Sequence, residues 1–146
     1  MKCPAHGIAL AIIFVSQVVF ADDSIAVLSV QVSTVKPPRG DIVALLFRDS
    51  NGYPGDANFA VERVQTKVEG SVVRFTFRPM PPGRYVVSLF HDVNHDGKLA
   101  RRFGVPAEGV GVSNDVRGFF GPPAYEKCEF TVRPGQNTIA VHLMYR

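Results

Sequence analysis

Val72-Val73-Arg74-Phe75-Thr76-Phe77-Arg78 places Val73, Phe75 and Phe77 on one side of an extended chain and Arg74, Thr76 and Arg78 on the other. Side chains of a strand alternate between two faces, so this run reads as a strand with one wet and one buried face. The same period recurs on both sides of it. Ala26, Leu28, Val30 and Val32 alternate with Ser29, Gln31 and Ser33, and Ile139, Val141, Leu143 and Tyr145 alternate with Ala140, His142 and Met144. Over residues 127–133, Cys128, Phe130 and Val132 alternate with Glu129, Thr131 and Arg133, which predicts a strand that turns Cys128 into the core.

Residues 42–47 are apolar on both faces and residues 84–91 nearly so, the pattern of strands in the middle of a sheet. A weaker strand is expected within residues 59–68. Reversals are marked by Pro37-Pro38-Arg39-Gly40, Pro79-Met80-Pro81-Pro82-Gly83 and Arg133-Pro134-Gly135-Gln136-Asn137, which supply the fixed or positive φ that turns need. No sustained helical stripe follows residue 21. The expected fold is all-β, a single antiparallel sandwich of about seven strands over residues 22–146.

The first residues have another character. Lys2 precedes a chargeless apolar run over residues 7–20, and Val19-Phe20-Ala21 resembles a signal-peptidase site. Residues 1–21 therefore read as a secretory signal peptide, cut after Ala21. The run is shorter than the roughly 20 residues that span a bilayer, so no membrane span is expected after cleavage. Cys3 departs with the signal and leaves Cys128 without a disulfide partner, which fits a bacterial periplasmic or secreted domain held by its own core. Sixteen basic residues are interspersed with thirteen acidic ones, for a net charge of +3, and no basic run exceeds Arg101-Arg102. That distribution does not make a nucleic-acid surface.

One connection is too long to be a mere turn. Residues 92–126 are rich in Gly, Pro, Asn and Asp, and ordered loops beyond about 12 to 15 residues usually serve a function. The loop opens with Asp92-Val93-Asn94-His95-Asp96-Gly97-Lys98-Leu99. Asp92, Asn94 and Asp96 can turn side-chain oxygens toward one hard cation, Gly97 permits the bend, the Lys98 carbonyl adds a ligand and Leu99 anchors the turn. The twelfth position is Phe103 instead of Glu and the motif follows a strand, so it is not an EF-hand. Glu108 is the nearest carboxylate in the loop that could complete a calcium site. Lys98, Arg101 and Arg102 oppose a dication, and the same residues could form a turn in which Asn and Asp cap their own backbone.

Other chemistry finds less support. His91, His95 and His142 lack the spacing of a zinc or copper site, and His91 on an apolar strand reads as a hydrogen-bonded orienting group. Ser113 has no nucleophile-elbow context, so Ser113-Asn114-Asp115 reads as a satisfied loop. No catalytic set is assigned. The enzymatic alternative is a hydrolase that uses Glu108 with His91 or His95 in the 91–126 loop.

Pro82-Gly83-Arg84-Tyr85, the run 90–99, the run 104–114, Pro122-Pro123 and Phe130 occur in the order seen in an uncharacterised bacterial family, domain of unknown function 2141. The whole chain after residue 21 resembles that family. The resemblance implies an exported sandwich of transthyretin-like or immunoglobulin-like type and no assigned activity. The family's members often carry an acid where Ala100 stands and an aromatic where Val112 stands, and the first difference removes a potential cation ligand. The expected role is a binding or structural module of the bacterial envelope, its partner an envelope protein or small ligand, with calcium as the one cofactor indicated.

Overall fold

The structure, a computed structural model, describes residues 25–146; the expected signal peptide lies outside the described residues. Ten strands lie among those residues: β1 (Ala26–Ser33), β2 (Asp41–Phe47), β3 (Glu62–Lys67), β4 (Val73–Thr76), β5 (Gly83–Asp92), β6 (Arg101–Arg102), β7 (Val105–Pro106), β8 (Val110–Val112), β9 (Phe130–Val132) and β10 (Gly135–His142). A 3-10 turn over Ser113–Asp115 and one helical turn, α1 (Tyr125–Cys128), interrupt the long connection. The all-β expectation holds. The strand count rises because the 92–126 connection contributes β6, β7 and β8, each only two or three residues long.

One sheet has the order β10-β1-β4 and a second the order β3-β2-β5-β8, with β9 pairing the start of β5. The apolar faces of both contribute to one core. Leu28, Val30 and Val32 of β1, Phe75 of β4 and Val141 of β10 pack with Ile42, Ala44 and Leu46 of β2 and with Tyr85, Val87 and Leu89 of β5. The alternation in β1 and β4 is therefore the imprint of a sheet with one covered face. Strand β2 is buried at all seven positions. Its other face, with Val86 of β5, packs Leu45 and Phe47 against Val112, Tyr125 and Cys128, so the long connection folds back to make a second, smaller core.

Two expectations are corrected. The strands are not all antiparallel, because β10 runs parallel to β1, from Ala26↔Gly135 to Ser33↔His142. The reason is a change of sheet. Strand β9 ends at Val132 opposite Gly83, the chain crosses over at Pro134, and β10 enters the other sheet at the end where β1 also begins. Likewise, Cys128 does not lie on a strand with Phe130 and Val132. It closes α1, and the spacing of three between Tyr125 and Cys128 points both into the second core, while Phe130 and Val132 pack against the first. Cys128 is fully buried all the same. Burial pushes its thiol pKa up, and the Tyr53 hydroxyl 3.4 Å from Sγ opposes that shift.

Strand β10 stops at His142, short of the alternation read through Tyr145. Leu143 N–H donates to Ser33 O, and Met144 then bridges Val110 of the other sheet. The C-terminus thus ties the two sheets together at the end where Asp41 and Asp92 face each other. No helix among the described residues is long and apolar enough to cross a membrane.

Candidate functional site

Asp92 is the last residue of β5 and is wholly buried. A buried carboxylate needs hydrogen-bond donors, and the turn beyond it supplies them. Asp92 Oδ1 accepts from Asp96 N–H at 3.2 Å and Oδ2 from Gly97 N–H at 2.7 Å. Positive φ at His95 (60°) and Gly97 (72°) curls the backbone so that these amides point inward. The exposed side chains continue the pattern: Asn94 Oδ1 accepts from Asp96 N–H at 3.3 Å, Asn94 Nδ2 donates to Asp96 Oδ2 at 3.1 Å, and Asp96 Oδ1 accepts from Lys98 N–H at 2.8 Å.

Glu108 arrives from the far side of the β6-β7 hairpin. Its Oε1 accepts from Val93 N–H at 3.1 Å and its Oε2 from Ala100 N–H at 3.0 Å. The structure brings Asp92, Asn94, Asp96 and Glu108 onto one turn, and Lys98 joins through its N–H, not its carbonyl. Each of the three carboxylates binds backbone amides. Among the described residues, no group of three or more His, Cys, Asp and Glu side chains is arranged to hold a metal ion.

The two histidines of the run take different places. His91 is buried on β5, with Nε2 2.6 Å from Arg39 O and Nδ1 2.9 Å from the Tyr145 hydroxyl. A carbonyl can only accept, so Nε2 carries the hydrogen. Tyr145 OH, which accepts from Lys36 N–H at 2.8 Å, is then free to donate to Nδ1. His91 is an orienting group, as its sequence context indicated, and it pins the 34–40 loop and the C-terminus to β5. His95 is mostly exposed but is not merely solvated: its Nδ1 lies 2.8 Å from Asp41 Oδ2, which also accepts from Gln65 Nε2 at 2.7 Å.

Asp41 and Gln65 were not singled out from the sequence, and Tyr145 was read only as a member of the last strand. A signal existed for Asp41, an acid heading an otherwise apolar strand. The hydrogen bond from Gln65, then that from His95, holds the Asp41 carboxyl below its ordinary value of 3.8. A depressed carboxylate contributes stability above its unfolded pKa and loses it as pH falls through the folded one. An acid titration of melting temperature should therefore show a fall below pH 3.8 that is smaller in Asp41→Asn. Equal falls in the two proteins would remove Asp41 from this account.

Ser113 and Asn114 serve the second core. Buried Ser113 Oγ donates to Cys128 O and accepts from Val87 N–H at 3.1 Å, and Asn114 Nδ2 donates to Lys127 O and Glu129 O at 3.1 and 2.9 Å. They fix α1 against β5, which is the satisfied-loop role expected of them.

The segments that lead from Pro82 through this turn to Phe130 thus form one continuous unit of β5 and its excursion. The family model described as an uncharacterized protein conserved in bacteria, DUF2141, matches residues 30–140, which span that unit and most of both sheets. The chain belongs to the DUF2141 family. No curated protein and no solved structure was found to match it. In DUF2141 terms, the matched region begins within β1 and ends within β10, so the parallel pair closes the unit that the family model covers.

Proposed function

We propose that this protein is an exported, non-enzymatic binding or structural module of the bacterial envelope, a sandwich of transthyretin-like or immunoglobulin-like type, with its working surface on the 92–108 loop. The observation that supports this reading is the use of the loop's acids. Asp92 and Glu108 each hold two backbone amides, which builds a fixed platform from a segment that has almost no sheet of its own. A hydrolase in the same loop would need an acid and a histidine free to meet substrate. Both nitrogens of His91 hold the fold, and His95 Nδ1 pairs with Asp41 at 2.8 Å, while the Glu108 carboxylate bonds to the Val93 and Ala100 amides and to neither histidine.

Calcium is the cation suited to this surface. A carboxylate oxygen has two lone pairs, so Asp92, Asn94 and Asp96 can keep their amides and still face one hard cation, with the Lys98 carbonyl as a further ligand and Glu108 closing the loop. Binding confined to the folded state raises the melting temperature in proportion to the logarithm of ligand excess. Millimolar calcium should raise it by several degrees, and magnesium by less; Asp96→Ala should abolish the rise. A melting temperature that does not move with calcium, together with unchanged hydrogen-exchange protection at residues 93–100, would refute calcium loading.

A further inference from the structure

Three phenylalanines stand in water on the two excursions around this site. Phe103 sits at the tip of the β6-β7 hairpin, and Phe119 and Phe120 at the head of the connection that follows the Ser113–Asp115 turn; their relative exposures are 101%, 86% and 106%. Phe119 and Phe120 are adjacent in the chain, and exposed apolar groups that cluster mark an interaction site more than scattered ones do. We propose that these two loops dock the protein on an anionic lipid surface by inserting Phe103, Phe119 and Phe120 among the headgroups.

The hairpin sequence supports an inserted role for Phe103. Strands β6 and β7 pair Arg102 with Val105, leaving Phe103 (φ 52°) and Gly104 (φ 79°) as a two-residue turn with both φ values positive. Asn-Gly or Asp-Gly is the preferred occupant of such a turn, and a bulky residue at positive φ is sterically disfavoured. Folding alone would select against Phe103. The charges around the tips also fit. Residues 97–107 include Lys98, Arg101 and Arg102 and no acid, and residues 116–124 include Arg117 and no acid. None of these four cations forms an ion pair among the described residues.

The two loops are joined at their bases. Arg146 Nη2 donates to Gly118 O at 2.8 Å, and the preceding Tyr145 packs flush on Gly109, just beyond the hairpin. Apolar tips on segments that carry cations and no acid suit a fluid apolar layer beneath phosphates, which needs no shaped pocket, better than a second protein, which would. Each arginine near such a surface favours partition roughly fivefold.

The chain contains no tryptophan, so a single one reports its own surroundings. Phe103→Trp and Phe120→Trp, made separately in the full chain, should blue-shift on vesicles of phosphatidylglycerol and phosphatidylcholine and be quenched by brominated acyl chains. Phe59→Trp, on the β2-β3 connection, should stay in water and show that the shift is confined to the two loops. Arg101→Gln with Arg102→Gln should lower partition at least tenfold, as should high salt. Unmoved emission at either position 103 or 120 overturns the proposal and leaves the phenylalanines to a protein partner. Equal shifts on pure phosphatidylcholine overturn the anionic surface. The inference rests on reading this end of the molecule as a binding surface, and calcium is omitted throughout, so its failure leaves the calcium test standing.

Discussion

A Gly40→Ala variant will lose about 4 kcal/mol of stability, the sum of a left-handed backbone forced on a side-chain-bearing residue and an overpacked site. Gly40 has φ +86°, and a Cβ built there would lie 2.4 Å from Asp92 O and 2.8 Å from Val93 Cα. Those are backbone atoms of the strand that carries the candidate site, and no rotamer change can move them. The 34–40 loop would have to lift from β5, taking with it the Arg39 carbonyl that holds His91. Urea unfolding measures the loss. Gly70→Ala is the control, because Gly70 has nothing within 4 Å of such a Cβ, and it should change stability by less than about 1 kcal/mol. Comparable stability in the two variants would mean that the 34–40 loop is free to move away from Asp92.

Asp92→Ala will cost about 3 kcal/mol, because it removes a wholly buried charged acceptor from two backbone amides. The loss should be local in origin. Hydrogen exchange at Asp96 and Gly97 should rise well before the β1 and β2 amides are affected, since the turn lies beyond both cores. Asp92→Asn keeps one acceptor and aims an NH2 group at the other amide, so it should fall between the wild type and alanine. Protection of Gly97 retained in Asp92→Ala would show that another group organises the turn.

The sequence was informative where one residue's environment depends on its immediate neighbours. Alternation in β1 and β4 and the double-faced burial of β2 were all legible, because a strand between a core and solvent must repeat every second residue. The turn after Asp92 was legible for the same reason: its side chains bond to amides four and five residues away. What stayed hidden depends on distant partners. Nothing near Gly135 announces a parallel neighbour more than a hundred residues earlier. The single helical turn at Tyr125–Cys128 is too short to show a helical period, so Cys128 passed for the first residue of an alternating strand. Strand β8 was missed because Val110-Gly111-Val112 is short and centred on a glycine. That glycine is required by packing: a Cβ on Gly111 would lie 2.8 Å from Val141 Cγ1 of the opposite sheet.

The pairing of β1 with β10 also bears on the order of events during synthesis. The first described strand acquires its parallel neighbour only after residues 135–142 have been made, so loop closure over most of the polypeptide must precede completion of that sheet. Until then β1 has only β4 beside it, and one side of its ladder remains open. Contacts of such long sequence separation slow folding. Completion of the β10-β1-β4 sheet is therefore a late event, whereas the β3-β2-β5-β8 sheet can pair before residues 135–142 exist.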